Sequence, residues 1–148
     1  MDQRDLKNTI QQILDICRDS AEGYKTAAKN IVYRDLKALF IRIYQQRKLF
    51  IEELKSTALK LNIELETDRL VRGFFYRTWL PTTANLASMP NEKLVEQSVN
   101  GEQVAIDIYS KALANPGLPR YLREILAEHQ HSIKVAIRQL NALQPEVY

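Results

Sequence analysis

Apolar residues recur at spacings of three and four along most of the chain, which is the pattern of amphipathic α-helices. We predict four long helices, at about residues 2–29, 34–62, 91–114 and 118–143. The breaks after the first and third helices are short, so each consecutive pair is expected to form an antiparallel hairpin. The second break contains "NPGLPR", in which glycine favours a helix end and proline cannot continue a helix. The pattern predicts a single all-α domain over residues 1–148.

A long crossover, residues 63–90, separates the two predicted hairpins. It lets the chain return along the bundle, so the second and third long helices are expected to run parallel, as in a ferritin-like four-helix bundle with one crossover. Closely spaced aromatic residues predict a short helix there, before two helix-breaking prolines. In one interpretation this helix packs on its own bundle. In the other, Phe74, Phe75 and Trp79 form an interaction surface, such as that of a homodimer.

Three polar residues fall within the apolar stripes of their helices, which places them on the core side at about 100° per residue. Arg47 lies on the second long helix, Glu102 on the third and His129 on the fourth. All three are near mid-helix, so we predict one polar layer across the bundle. Because a buried arginine needs a partner, we expect an Arg47–Glu102 ion pair with His129 hydrogen-bonded beside it.

The first helix offers two further candidates for this layer. Cys17 lies at the centre of its apolar stripe, and Glu22 lies roughly 120° from the stripe. By contrast, Glu128 and His131, which have the Glu-x-x-His spacing of di-iron bundles, are predicted to face outward. Converging carboxylate, imidazole and thiol groups are compatible with a structural layer, a metal or ligand site, or catalysis. We predict the structural layer.

Composition narrows the classes of function. The 148 residues carry a formal net charge of +3 with basic and acidic residues intermixed, so nucleic-acid binding is not expected. The single cysteine excludes an intramolecular disulfide, and no apolar run approaches the ~20 residues of a membrane span. The polar N-terminal sequence lacks a signal-peptide pattern. We therefore expect a cytoplasmic protein that does not bind membranes.

Four stretches of the chain carry a family resemblance. They are "CRDSAEGYKTAAK" (17–29), "DLKALFIRIYQQRKLFIEEL" (35–54), "GEQVAIDIYSKALA" (101–114) and "IKVAIRQLNAL" (133–143). The chain resembles the bacterial ferritin-like four-helix-bundle proteins that are classed as a domain of unknown function. The resemblance covers nearly the whole chain, including the Trp-bearing crossover. It implies the bundle and an intracellular bacterial setting, and it implies no activity.

Catalytic ferritin-like proteins take one Glu from each of two helices and a Glu-x-x-His from each of the other two. Here the inward pair on the second helix is Arg47 and Phe50, neither of which is a metal ligand. A metal site, if present, would use Glu102, His129 and Glu22. We therefore predict a protein that is not an enzyme and needs no cofactor, and that forms a homodimer or binds another protein partner.

Two alternatives stay open at this point. One is a metal-binding or redox protein that keeps a degenerate ferritin-type site. The other is a small-ligand protein with a pocket around Tyr24, Tyr109 and His129.

Overall fold

The structure is a computed structural model that describes residues 1–81 and 83–143. These residues form helices and no strands, which confirms the prediction of an all-α protein. The elements are α1 (Gln3–Asn30), α2 (Arg34–Lys60), α3 (Phe74–Trp79), a 3-10 helix (Thr83–Ser88), α4 (Asn91–Leu113) and α5 (Arg120–Ala142). The predicted domain also included residues 82 and 144–148, which lie outside the described residues. Within the described part of the chain, every helix is too short or too polar to cross a membrane.

Local signals account for where the long helices begin and end. The side chain of Asp2 accepts a hydrogen bond from the Asp5 amide at 2.8 Å and so caps α1. Asn62 has a φ of 55°, a left-handed conformation that asparagine tolerates and that cannot continue a helix. For this reason α2 ends at Lys60, two residues before the predicted end. Pro90 and Pro119 immediately precede α4 and α5.

Two hydrophobic clusters fix the directions of the long helices. One cluster joins the beginnings of α1 and α5 to the ends of α2 and α4. The other joins the ends of α1 and α5 to the beginnings of α2 and α4. The helices α2 and α4 therefore run in the same direction, antiparallel to α1 and α5. Neighbouring helices in this bundle are α1 with α2 and α4, and α5 with α4 and α2.

The crossover follows α1 along the outside of the bundle. Gln11 exchanges two hydrogen bonds with the backbone of Glu66, at 2.8 and 3.0 Å. Farther along, Arg18 donates to the carbonyl of Arg69 at 2.7 Å, and the Arg69 guanidinium pairs with Asp15. Polar side chains of α1 thus satisfy backbone groups of a segment that forms no helix or strand of its own.

Asp19 ties the start of α3 to α1. Its carboxylate accepts hydrogen bonds from the backbone amides of Gly73, Phe75 and Tyr76 at 2.9–3.1 Å. The first amides of a helix lack partners within the helix, so a buried carboxylate at this place satisfies them. Burial raises the pKa of Asp19, and the three amides oppose that rise.

Two of the aromatic side chains of α3 point into the bundle. Phe75 and Trp79 are 2% and 0% exposed, and their rings pack against Tyr24 of α1. The prediction of an interaction surface at Phe74, Phe75 and Trp79 is therefore wrong for Phe75 and Trp79, and Phe74 is half-buried. The alternative interpretation, in which the short helix packs on its own bundle, describes this segment. The physical reason is that the core of the same chain already removes these two large rings from water. They therefore need no second molecule to cover them.

Candidate functional site

Three charged or titratable side chains are buried at the middle of the bundle. Arg47 is 1% exposed, Glu102 is 0% exposed and His129 is 2% exposed. They come from α2, α4 and α5, and each occupies the apolar stripe of its helix. Their positions along each helix put them on the side that faces the core. The apolar residues of the stripe fix that side, and a polar residue within the stripe is buried with them.

Arg47 and Glu102 form a bidentate ion pair. The Arg47 Nη1 atom donates to Oε1 of Glu102 at 2.8 Å, and Nη2 donates to Oε2. Both carboxylate oxygens are thus engaged by one planar guanidinium, the geometry in which such pairs are strongest. Burial lowers the pKa of Arg47, whereas the Glu102 carboxylate raises it, and the net direction is upward. Arg47 stays charged, and Glu102 supplies the charge that compensates it.

Phe50 stands between this pair and His129. Its ring stacks on the His129 imidazole with centroids 3.8 Å apart and an angle of 12° between the planes. The Arg47 guanidinium carbon lies 5.8 Å from the centroid of the same ring. His129 lies beside the ion pair and is hydrogen-bonded there, but its partners are Tyr109 and Glu53, and it makes no direct contact with Arg47 or Glu102 among its hydrogen bonds. The aromatic ring of Phe50 occupies the space through which that contact would run.

A chain of hydrogen bonds leads from the protein surface through His129 to Cys17. Its contacts are Glu53 Oε1 to His129 Nε2 at 3.2 Å, His129 Nδ1 to the Tyr109 hydroxyl at 3.0 Å, and that hydroxyl to Cys17 Sγ at 3.3 Å. A carboxylate can only accept, so Nε2 of a neutral His129 donates to Glu53. Nδ1 then accepts from Tyr109, and the Cys17 thiol donates to the Tyr109 oxygen.

Burial sets the protonation states along this chain. Burial lowers the pKa of His129, and the neighbouring Glu53 only partly offsets that effect. Burial also raises the pKa of the Cys17 thiol to about 11 and moves the pKa of Tyr109 well above its usual value. At neutral pH the chain therefore holds a neutral imidazole, a phenol and a thiol. A thiol in this state is a poor nucleophile.

Nε of Arg47 is buried and has no hydrogen-bond partner among the described residues, and the Tyr24 hydroxyl is buried near the same ion pair. Burial, followed by the nearby Glu102 carboxylate, raises the pKa of Tyr24 well above its usual value. Ser98, also buried in this region, donates to the carbonyl of Leu94 at 2.8 Å. The ion pair thus lies among neutral side chains, and Glu102 is the counter-charge that touches Arg47.

The remaining predicted residues fall into two groups. Cys17 is inside the layer, whereas Glu22 is exposed and stands apart from it. Glu128 and His131 are also exposed, so their Glu-x-x-His spacing does not point into the bundle. Within residues 1–81 and 83–143, no three His, Cys, Asp or Glu side chains are grouped closely enough to hold a metal ion.

Sequence reasoning missed the roles of Glu53 and Asp19. Glu53 lies at the edge of the α2 stripe and is 51% exposed, yet it reaches the inward-facing His129. A core histidine requires polar partners, which is a signal, but the helical period does not say which flanking residue supplies them. Asp19 lies beside Ser20 at the edge of the α1 stripe, and nothing local marks it as the residue that caps α3.

A comparison with protein-family models places the chain in context. The family described as Domain of unknown function (DUF2383) matches residues 5–115. This stretch contains Arg47, Glu102, Tyr109 and Cys17, and it ends before α5 and His129. A comparison with curated proteins gave no match.

Proposed function

The chain belongs to the family described as Domain of unknown function (DUF2383), and we propose that it is a non-catalytic, ferritin-like bundle of the bacterial cytoplasm that acts by binding a protein partner. A second copy of the chain is the first partner to test. In this proposal the Arg47–Glu102 pair takes the place at which metal-binding bundles of this class hold their ions. The bacterial cytoplasmic setting rests on the sequence resemblance.

The directions of the helices support the ferritin-like part of the proposal. Two helical hairpins joined by a crossover, with α2 and α4 parallel, match the topology of bundles with one long connection. Inward polar side chains at mid-length on α2, α4 and α5 also correspond to the level at which such bundles place their ligands.

The Arg47–Glu102 ion pair is the observation that supports the absence of a metal ion from this proposal. Arg47 occupies both oxygens of Glu102, so a metal ion would have to displace a buried guanidinium to reach them. The displaced cation would then repel the metal. The inward partner of Arg47 on α2 is Phe50, and the inward partner of His129 on α5 is Leu126, so neither helix supplies a carboxylate–imidazole pair.

Metal analysis tests this proposal directly. Purified protein is incubated with iron, zinc and manganese in turn, desalted, and analysed by inductively coupled plasma mass spectrometry. We expect well under one equivalent of each metal. One equivalent that disappears in both Glu102→Ala and His129→Ala, but not in the exposed control His131→Ala, would overturn the proposal.

The face between α2 and α5 is the candidate partner surface. Leu49 is 66% exposed and Tyr121 is 50% exposed, and both line an open cavity of about 390 Å³ there. Apolar side chains exposed together at one site are common in protein–protein interfaces. Light scattering after size exclusion should give a mass of about twice 17.2 kDa for the wild type.

Substitution on this face provides the matched comparison. Leu49→Asp should shift the protein to the monomer, because a carboxylate buried in an apolar contact is costly. Gln45→Asp, one turn earlier on α2 and also exposed, should leave the mass unchanged. A wild type that is monomeric at all concentrations would rule out self-association. Equal effects of the two substitutions would remove this face as the interface.

The second candidate function is a metal-binding or redox protein with a degenerate ferritin-type site. The hydrogen-bonded chain Cys17–Tyr109–His129 favours it, because this chain links a buried thiol to the surface carboxylate of Glu53. The metal analysis distinguishes the metal-binding form of this candidate from the first proposal, since only that form requires bound metal.

A further inference from the structure

Two adjoining cavities form a groove between α2 and the first half of the crossover. The first, of about 570 Å³, lies between α1, α2 and the crossover. The second, of about 590 Å³, lies between the last turns of α2 and the residues that follow it. Lys55 and Thr67 line both cavities, so the two form one elongated groove. Each is within the size range of pockets that hold small molecules, which is roughly 300–1,000 Å³.

The walls of the groove expose large apolar side chains. Leu59, at 78% exposure, lines the second cavity, and Leu70, at 63%, lines the first. Ile63 and Leu65 add further apolar surface to the second cavity, as does Ile51 to the first. Covering these side chains with a hydrocarbon chain would remove apolar surface from water, which is favourable in proportion to the area covered.

The first cavity also presents cations. Arg18, Lys48, Lys55 and Arg69 line it. Arg69 is paired with Asp15 and Glu66, whereas Nη1 of Arg18 has no hydrogen-bond partner among the described residues. Lys48 contacts the ring of Tyr44, and Lys55 is 3.7 Å from Glu52.

Acidic side chains are present in the groove as well. Of those in the first cavity, Asp19 is occupied by three backbone amides, which leaves Glu22 and Asp68 facing the three cations other than the paired Arg69. The second cavity contains Glu64 and shares Lys55 with the first. A negatively charged group is therefore better accommodated in the first cavity than in the second.

We propose that this groove binds a small acyl carboxylate. The carboxylate lies in the first cavity near Arg18, Lys48 and Lys55, and the hydrocarbon chain passes Thr67 into the second cavity. This assignment accounts for the position of the cations at one end of the groove and of exposed Leu59 at the other. It is independent of the partner surface between α2 and α5 and of the ion pair in the core.

Isothermal titration calorimetry with sodium decanoate tests the proposal, with decanol as the neutral probe of the same chain length. We expect saturable binding of decanoate at one site per chain, weaker binding of decanol, and loss of decanoate affinity as sodium chloride is raised. The double variant K48Q/K55Q should weaken decanoate binding by roughly 5- to 30-fold, as expected for two partly exposed charge contacts.

Two further variants separate the groove from the rest of the surface. Lys37→Gln removes an exposed lysine elsewhere on α2 and should leave the affinity for decanoate unchanged. Val71→Trp fills the first cavity, which Val71 lines, and should abolish binding while the helical circular dichroism is retained. The proposal is overturned if decanoate does not saturate, if decanol binds as tightly, or if K48Q/K55Q and K37Q behave alike.

Discussion

At the scale of single residues, Arg47 shows how the core tolerates a full charge. An arginine that is 1% exposed is held by one bidentate partner and one aromatic neighbour. Removing either member of a buried pair leaves the other uncompensated, so its loss costs far more than the pair contributes. The effect of a substitution here on the free energy of unfolding thus depends on whether an unpaired charge stays buried in the core.

We predict that Arg47→Ala lowers the free energy of unfolding by about 3–5 kcal/mol, because Glu102 stays buried without its cation. Urea unfolding followed by circular dichroism measures this change. The matched variant Arg47→Met with Glu102→Leu removes both charges and should cost clearly less than Arg47→Ala alone. A loss below about 0.5 kcal/mol in Arg47→Ala would mean that the guanidinium reaches water in solution.

His129 gives a second residue-scale prediction, which concerns pH. Burial lowers its pKa below the ordinary value of 6.5, despite opposing effects of Glu53 and Glu128, and Arg47 lowers it further. Below pH 6.5 the unfolded chain therefore binds more protons at this residue than the folded chain does. The contribution of His129 to stability should fall as pH drops from about 6.5 toward the folded pKa.

The chain has two histidines, and this permits a sharp comparison. The loss of unfolding free energy between pH 7.5 and pH 5.5 should be smaller in His129→Gln than in the wild type. His131→Gln, which replaces the exposed histidine, should lose as much as the wild type does. If both variants show the wild-type pH dependence, His129 titrates in the folded protein as it does in water.

At the scale of elements, close packing of α3 against α1 and α4 holds the crossover in place. The Phe75 ring lies against Gly101 of α4, and its Cβ lies against Gly23 of α1. A Cβ at either glycine would fall well inside van der Waals contact with Phe75. Because both helices lack a side chain at this point, the aromatic ring approaches their backbones closely.

We predict that Gly101→Ala destabilises the protein by roughly 1–3 kcal/mol through overpacking, although alanine is the better helix former. The same substitution should cost less when Phe75 is replaced by Leu, because the smaller side chain leaves room for the new Cβ. Urea denaturation of the four proteins of this double-mutant cycle gives the coupling. The exposed neighbour Asn100→Ala should change stability by less than about 0.5 kcal/mol. If Gly101→Ala and Phe75→Leu have additive effects on the free energy of unfolding, Phe75 does not limit the space at Gly101.

The elements also show how far sequence reasoning reaches. The helical period predicted the four long helices and the burial of Arg47, Glu102 and His129, because orientation about a helix axis follows from spacing alone. It could not predict the partner of His129, which depends on how far Tyr109 and Glu53 reach from their own helices. For the crossover, the spacing indicated an aromatic face but not the surface that the face covers.

At the scale of the whole molecule, the polar residues lie between two hydrophobic clusters. One cluster contains residues such as Leu14 and Leu122, and the other contains Leu36 and Trp79. The long helices α1, α2, α4 and α5 each contribute to both clusters. Each of these helices would have to break in its middle for one cluster to unfold alone, and interrupting a helix costs the hydrogen bonds of at least one turn.

We therefore predict two-state unfolding despite the divided core. Trp79, the single tryptophan, reports on one cluster through its fluorescence, whereas circular dichroism at 222 nm reports on all helices. The two urea transitions should coincide. In Trp79→Phe with Leu113→Trp, the fluorescence reports instead on the other cluster, against which Leu113 packs, and should again follow the circular dichroism of that variant. If fluorescence changes before circular dichroism in one protein and after it in the other, the clusters unfold separately, and the Arg47–Glu102 pair would then mark the boundary between two cooperative units.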